Sequence, residues 1–311
     1  MFNLDVNSYL KGHNMTVQIA LPVQNIVGES VVWDDVRNRL LWVDIVGKSI
    51  HAFSPETRDY RRWDTPNFVT SIGLRKDGGA IVAFTKSICV WDYEDQFQVF
   101  AQIESEVPDN RLNEGVVGPD GAFWVGTMQN NIAADGTPTD ITKDAGQLFR
   151  VTVDGQVQRV SDDLFGITNT LIWAPNGRLV TADTLKNEIY SYAIDSNTNQ
   201  LTDRKVIVDG FARGLPDGST IDAEGYIWNC RVVGGSCLLR FSPDGQIDRV
   251  VELPCSWPTS CVFGGENLET LFVTSARFTM GEAHLKTNPQ EGGVFALDVG
   301  VKGRPCNHFG Y

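Results

Sequence analysis

Oxygen-bearing side chains recur at one position of a repeated pattern in this sequence. Four of the repeated segments have a glycine in their turn, and the position in question lies eight residues before it. The glycines are Gly78, Gly121, Gly177 and Gly225, and the residues eight positions earlier are, in the same order, Thr70, Asn113, Asn169 and Asp217. An earlier segment with a longer turn has Glu29 at the equivalent position, and a last segment has Thr259 or its neighbour. If the segments converge in space, Glu29, Asn113, Asn169 and Asp217 bring two carboxylates and two amide oxygens together. This set suits a divalent cation, because two carboxylates balance its charge and an amide adds a neutral oxygen.

The oxygen donors indicate a hard or borderline divalent cation but do not identify the element. Neither His nor Cys occurs at this position, which favours Ca²⁺, Mg²⁺, Mn²⁺, Zn²⁺ or Fe²⁺ over a softer metal. Without a cation, neighbouring carboxylates raise the pKa of one another. The alternative interpretation is structural, because Asn and Asp side chains beside turns often cap strands or bond loop amides. Asp217 alone, between Pro216 and Gly218, is typical of a turn, so the shared position is what favours a site.

Arg111 adds a candidate for ligand binding. It lies two residues before Asn113, so in a strand both side chains face the same side. A guanidinium and an amide in this arrangement could hydrogen-bond a polyhydroxylated ligand. The alternative is a surface charge, which is the commoner state of an Arg near a loop.

The repeated segments predict the architecture that would bring these residues together. Each segment reads as an apolar strand, a turn and a second apolar strand, and the starts lie roughly 40 to 55 residues apart, which is typical of propeller blades. The six hairpins begin at Ser30, Ser71, Gly115, Thr170, Ser219 and Ser260. Further strand-like runs with hairpin turns follow them. Six units with four antiparallel strands each predict an all-β fold, a six-bladed β-propeller.

The start of the chain and two insertions complete this prediction. The run from Val17 to Ala20 has no partner of its own, and we expect it to close the ring as the outer strand of the last blade. We expect residues 1–15 to form a flexible leader and residues 16–311 a single propeller domain. Two stretches, 130–144 and 278–290, are predicted to be loops of the third and sixth blades.

Composition narrows the choice of partners. The 311 residues carry a net charge of −13, which argues against nucleic acid and anionic membrane surfaces as partners. No apolar run approaches the roughly 18 residues of a transmembrane helix, and the N-terminus lacks the pattern of a secretory signal. The six cysteines form no C-x-x-C pair and are expected to be free thiols in a reducing compartment. We therefore expect a cytoplasmic monomer or weak homo-oligomer that acts on a small molecule.

Several motifs at these positions become specific when they are taken in order. They include Gly28-Glu29-Ser30, Asn110-Arg111-Leu112-Asn113-Glu114-Gly115, Gly126-Thr127-Met128, Thr168-Asn169 and Pro216-Asp217-Gly218. Together they resemble the senescence marker protein-30/gluconolactonase/regucalcin family over residues 28–303. The resemblance implies a six-bladed propeller with one divalent metal bound by Glu29, Asn169 and Asp217. It also implies that Arg111 and Asn113 contact the substrate, and that the reaction is the hydrolysis of sugar-acid lactones.

Two residues depart from the pattern of that family. Thr170 follows Asn169 where the family usually has Gly, and a β-branched residue does not easily adopt positive φ, so we expect this loop to differ in shape. Asn131 matches a position that is often acidic in the family and faces the substrate. We expect Asn131 to contact the substrate as a neutral group, which leaves the identity of the sugar lactone open.

These observations lead to a hypothesis of metal-dependent lactone hydrolysis. The metal would act as a Lewis acid on the lactone carbonyl, and Asp217 would be the general base for the attacking water while it ligates or flanks the metal. Arg111 and Asn113 would orient the sugar ring. Two alternatives stay open: a phosphotriesterase on the same propeller, and a non-catalytic metal-binding propeller that serves as a sensor or scaffold.

Overall fold

Six separate sheets account for almost all the regular structure of residues 16–94 and 96–310, which the computed structural model describes. Within each sheet, strands that follow one another in the chain pair antiparallel. Two strands, one near each end of the chain, instead pair with a strand that is distant in sequence. The sheets are the blades of a six-bladed β-propeller, as the sequence predicted. The first strand of each blade is the innermost, because it contacts the first strands of the two neighbouring blades.

The chain begins with β1 (Val17–Leu21) and then builds the blades in order. Blade 1 contains β2 (Gly28–Asp34), β3 (Arg39–Asp44), β4 (Ser49–Phe53) and β5 (Tyr60–Asp64). Blade 2 contains β6 (Val69–Arg75), β7 (Ala80–Phe84), β8 (Ser87–Trp91) and β9 (Phe97–Gln102). Blade 3 contains β10 (Asn110–Val117), β11 (Phe123–Gln129), β12 (Leu148–Val151) and β13 (Val157–Arg159).

The second half of the ring repeats this plan. Blade 4 contains β14 (Thr168–Trp173), β15 (Leu179–Asp183), β16 (Glu188–Ile194) and β17 (Leu201–Asp209). Blade 5 contains β18 (Leu215–Ile221), β19 (Ile227–Val232), β20 (Cys237–Phe241) and β21 (Ile247–Glu252). Blade 6 contains β22 (Pro258–Gly264), β23 (Thr270–Ser275) and β24 (Val294–Asp298), with helix α1 (Glu282–Thr287) in the predicted insertion between the last two.

The N-terminal strand closes the ring, and this prediction is confirmed. Strand β1 pairs antiparallel with β24 of blade 6, with Val17 opposite Leu297 and Ile19 opposite Phe295. Blade 6 therefore reaches four strands by combining segments from both ends of the ring, and β1 covers the outer edge of β24. The predicted leader, residues 1–15, lies outside the described residues.

The C-terminal segment adds a feature that the sequence did not predict. Strand β25 (His308–Phe309) pairs parallel with β6, which gives blade 2 a fifth strand. Just before it, the amide of Asn307 donates to the carbonyl oxygen of Val117 at 3.0 Å, at the last residue of β10. The segment thus covers the end of the channel where the innermost strands finish. Between it and those strands lies a cavity of about 240 Å³.

The hydrophobic core is divided among the interfaces between neighbouring blades. Six buried clusters fill these interfaces, and each draws its residues mainly from two adjacent blades. Trp42, for example, is fully buried between blades 6 and 1, and Trp228 between blades 5 and 6. All six cysteines are free thiols, and five of them are buried, as expected. The helical part of the described chain contains no segment long and apolar enough to cross a membrane.

Candidate functional site

Every innermost strand has a β-bulge or shift of register at the position that the sequence repeat singled out. The shifts fall at Glu29/Val32, Val69/Ser71, Leu112/Gly115, Asn169/Leu171, Pro216/Ser219 and Pro258/Cys261. A bulge bends its strand and changes the direction of the side chain next to it. The six bulges lie near the starts of the innermost strands, so they surround the end of the channel opposite β25.

A pocket of about 310 Å³ opens at this end of the channel. Its lining includes all six residues selected from the sequence: Glu29, Arg111, Asn113, Asn131, Asn169 and Asp217. Thr259, at the equivalent position of blade 6, also lines the pocket, whereas Thr70 of blade 2 does not. The structure therefore brings together residues from blades 1, 3, 4 and 5 that are far apart in sequence, and their chemical roles stay predictions.

Two buried carboxylates form the floor of the pocket. Glu29 is 8% exposed and Asp217 7% exposed. Burial raises the pKa of Glu29 to about 7, although the Ser30 backbone N–H, which donates to Glu29 at 3.0 Å, acts in the opposite direction. Burial also raises the pKa of Asp217, and the charges of Glu29 and Glu114 raise it further. A proton or a cation is therefore needed to balance the negative charge on this floor.

Glu114 is a third carboxylate near the floor that sequence reasoning left without a role. It lies next to Asn113 in the bulge of β10. Burial raises its pKa to about 8, and the charge of Glu29 contributes in the same direction. The repeat marks one residue per strand and so pointed to Asn113 alone, whereas the bulge between Leu112 and Gly115 leaves both Asn113 and Glu114 without a cross-strand partner.

The donor set on the floor fits a divalent cation. The amide nitrogen of Asn169 donates to the Thr184 hydroxyl at 3.0 Å, which leaves the amide oxygen as the atom able to bind a metal. With Glu29 and Asp217 it gives two carboxylates and one neutral oxygen, a set suited to a hard cation. Among the described residues, no three His, Cys, Asp or Glu side chains are grouped for metal binding, so a cation at this floor would need a neutral oxygen such as that of Asn169.

Arg111 lies at the centre of a small network beside the carboxylates. Its guanidinium donates to the Asn113 side-chain oxygen at 2.7 Å and to the Asn131 side-chain oxygen at 2.9 and 3.3 Å. Arg111 is 5% exposed, and burial lowers its pKa to about 10 while the charge of Glu29 counteracts this. The alternative interpretation of Arg111 as a surface charge is therefore wrong. The network orients both amides and presents a positive charge to the pocket.

The backbone conformation of Thr170 differs from the one expected for a β-branched residue. It adopts φ 55° despite its branched Cβ, in the left-handed region that was expected to exclude it. Its hydroxyl donates to the backbone carbonyl oxygen of Asp217 at 2.6 Å and lies 2.9 Å from the Ser219 hydroxyl. These hydrogen bonds, made in a fully buried position, compensate for the unfavourable backbone conformation.

The walls above the floor are largely apolar. Phe278, at the start of the predicted insertion in blade 6, is one of their residues. Further apolar residues come from the loops of blades 3, 4, 5 and 6: Ile132, Leu185, Val233 and Trp257. Loop residues follow no repeat, so the pattern that located the floor carried no information about them.

The family of the chain follows from comparison with known proteins. Residues 27–277 match the family model described as SMP-30/Gluconolactonase/LRE-like region. The chain belongs to the SMP-30/gluconolactonase/LRE-like family. Rabbit (Oryctolagus cuniculus) regucalcin is a relative with 32% identity over 297 residues, which cover 94% of this chain and 97% of regucalcin. The 6-deoxy-6-sulfogluconolactonase of Pseudomonas putida is 32% identical over 295 residues, which cover 93% and 97% of the two chains.

Solved structures of similar chains share the architecture. The crystal structure of a calcium-binding protein, regucalcin, from Agrobacterium tumefaciens superposes with a TM-score of 0.86 at 26% identity, covering 96% of this chain and 98% of the other. A luciferin-regenerating enzyme superposes with the same TM-score at 24% identity, covering 96% and 100%, and shows likeness of fold alone. The resemblance to this family that the sequence motifs indicated is thus confirmed, together with the six-bladed fold.

Proposed function

We propose that this protein hydrolyses a sugar-acid lactone to the open acid with the help of one divalent cation. The observation that carries the proposal is the pocket in which Glu29, Asn169 and Asp217 lie beside Arg111, in a chain of the SMP-30/gluconolactonase/LRE-like family. One relative is named as a lactonase and a structural relative as a calcium-binding protein, and both names support the proposal.

In this proposal Glu29, Asn169 and Asp217 hold the cation. When bound, it supplies a Lewis acid for the lactone carbonyl and balances the charge of the two carboxylates. Calcium is the first candidate, because the donors are all oxygens and the structural relative is a calcium-binding protein.

Asp217 also serves as the general base. Its carboxylate accepts a proton from the attacking water, whose oxygen forms a bond to the acyl carbon. The ester C–O bond of the ring then breaks, and the ring oxygen takes the proton from Asp217 to become a hydroxyl group of the open acid. The carboxylate of Asp217 lines the pocket, where it can reach a water molecule beside the substrate.

Arg111 and the amides it contacts orient the substrate. The buried guanidinium fixes Asn113 and Asn131 at 2.7 and 2.9 Å, so the nitrogen of Asn131 can donate to an oxygen of the lactone ring. Positioning of this kind lowers the entropic part of the barrier. The acidic chain and the size of the pocket, about 310 Å³, support a small-molecule substrate rather than nucleic acid or a membrane surface.

The test is acid release from a panel of aldonolactones, measured in a pH-stat with and without chelator. The wild type, Asp217→Asn and the matched control Glu266→Gln are compared, because Glu266 is an exposed acid in a turn of blade 6 outside the pocket. We expect Asp217→Asn to lose about a hundredfold or more in kcat while circular dichroism shows an intact fold.

The outcomes separate the three candidate functions. Chelator-sensitive lactone hydrolysis that Asp217→Asn abolishes supports the lactonase. Near wild-type turnover in Asp217→Asn refutes its role as base. Turnover of paraoxon without turnover of lactones supports the phosphotriesterase, and cation binding without either activity supports the metal-binding propeller.

A further inference from the structure

We propose that the substrate is a neutral sugar-acid lactone whose end remote from the carbonyl is apolar, as in the lactones of 6-deoxy sugar acids. The reason is that an apolar rim, formed by Leu185 and Val233, lies above the polar floor of the pocket. This inference rests on the proposed lactonase function and specifies its substrate class. In the bound state, the lactone carbonyl faces Glu29 and Asp217, and the terminal carbon of the sugar contacts the rim.

The pocket has two chemically different levels. The floor is polar and buried, with exposures of 8% for Glu29 and 7% for Asp217. The rim is apolar and open, with exposures of 47% for Leu185 and 51% for Val233. Large exposed apolar side chains beside a polar floor mark a binding surface for an apolar group.

Most polar groups of the pocket are already engaged within the protein. The Thr184 hydroxyl donates to the Pro216 carbonyl oxygen at 2.8 Å, and the Thr259 hydroxyl donates to that of Gly28. The amide nitrogen of Asn113 donates to the Thr168 carbonyl oxygen at 2.9 Å. A terminal hydroxyl group of a sugar that packs against Leu185 or Val233 would lose its water and find no hydrogen-bond partner on these side chains, which disfavours its binding.

The charges of the pocket disfavour an anionic substituent. Arg111 is the only Lys, Arg or His among the described residues that line the pocket, and its guanidinium is bonded to Asn113 and Asn131. The carboxylates of Glu29 and Asp217 share the same space. A sulfonate or phosphate on the substrate would need a further cation. The relative from Pseudomonas putida is named for a sulfonated lactone, and we expect this chain to differ from it in that respect.

Val233 gives independent support for a function of the rim. It adopts φ 55°, which is unfavourable for a β-branched residue, and it leaves half of its surface in contact with water. Neither feature stabilises the fold, and a residue such as Asn or Gly would fit the backbone better. An unfavourable conformation that presents an apolar side chain to a pocket indicates a role in binding.

The first experiment compares substrates that differ only in the terminal hydroxyl group. L-rhamnonolactone is paired with L-mannonolactone, and D-fuconolactone with D-galactonolactone, so that each configuration has its own control. We expect kcat/KM to be about tenfold to a hundredfold higher for the deoxy member of at least one pair, the discrimination that an apolar pocket gives against one added hydroxyl. Equal or reversed values in both pairs overturn the inference and leave the lactonase intact. Hydrolysis of other aldonolactones but of none of these four overturns this inference and leaves the lactonase intact, whereas hydrolysis of no lactone in the whole panel overturns both.

The second experiment changes the rim. In Val233→Asn and Leu185→Asn we expect the preference for the deoxy lactone to fall at least threefold, with most of the change in KM. The matched control is Val36→Asn, because Val36 is 73% exposed in a turn outside the pocket and its replacement should leave the preference unchanged. If both rim variants keep the wild-type preference, the apolar rim does not select the substrate.

Discussion

The hydroxyl of Thr170 donates to the backbone carbonyl oxygen of Asp217 at 2.6 Å. Thr170 belongs to β14 of blade 4 and Asp217 to β18 of blade 5, and Asn229 donates to the same carbonyl oxygen at 2.9 Å. Because Thr170 directly follows Asn169, this hydrogen bond couples the backbones of two proposed cation ligands on neighbouring blades. The geometry of the floor therefore depends on a residue that does not line the pocket.

Replacement of Thr170 by Val tests this coupling. Val keeps the shape of the side chain but leaves a buried carbonyl with one donor fewer, so we expect the free energy of unfolding to fall by roughly 1–3 kcal/mol. We also expect kcat/KM for lactones to fall. Denaturant unfolding and pH-stat kinetics measure the two effects. Thr170→Ser, which keeps the hydroxyl, serves as the control, and equal kinetics for Ser and Val would contradict a positioning role.

The sequence predicted the floor of the site better than its surroundings, for a physical reason. Glu29, Asn169 and Asp217 occupy equivalent places in three blades, and the ring forces equivalent places to meet, so a count along the chain was sufficient. The bulges that direct these side chains depend on pairing between strands, which residue spacing does not reveal. The apolar rim, represented by Leu185 and Val233, comes from loops that differ from blade to blade. The C-terminal strand β25 was missed because two residues carry no periodic signal.

Val233→Asn should stabilise the fold although it impairs selection of the substrate. Asn tolerates the left-handed conformation at φ 55° better than Val, and little packing is lost because the side chain is 51% exposed. We expect a gain of roughly 1 kcal/mol in the free energy of unfolding. The gain should appear in denaturant unfolding of Val233→Asn and be absent from Val36→Asn. A destabilised Val233→Asn would show that Val233 contributes to packing instead.

His51 should make the fold sensitive to acid. Its ring stacks on Trp42 at 5.0 Å between centroids and is bonded to Ser49 and Tyr60, each at 2.8 Å. Burial lowers the pKa of His51 from 6.5 to about 3, and the charge of Arg62, its cross-strand neighbour, acts in the same direction. Between these two values the unfolded chain binds a proton that the folded protein does not. Stability is therefore fully present above pH 6.5 and falls as the pH drops towards 3.

The contribution of His51 is measured by denaturant unfolding at several pH values between 7 and 4, an interval chosen to bracket most of the titration. As the pH falls below 6.5, we expect the titration of His51 to lower the free energy of unfolding by up to about 1.4 kcal/mol per pH unit. His51→Gln, which cannot take up the proton, should lose this part of the slope. If the variant and the wild type show the same dependence on pH, the acid sensitivity comes from other groups.

Glu29→Gln distinguishes a cation site from a purely structural pair of acids, because it should have opposite effects with and without the cation. When no cation is bound, the substitution removes one of two adjacent buried carboxylates. This relieves the repulsion between the two charges and the cost of burying one of them, so we expect the variant to melt at a higher temperature than the wild type at pH 8. With Ca²⁺ at a hundred times its Kd, binding stabilises the wild type by about 2.7 kcal/mol. The variant, with one charged ligand fewer, should gain little. Glu266→Gln should behave as the wild type in both conditions, and an equal calcium response in Glu29→Gln would exclude Glu29 as a ligand.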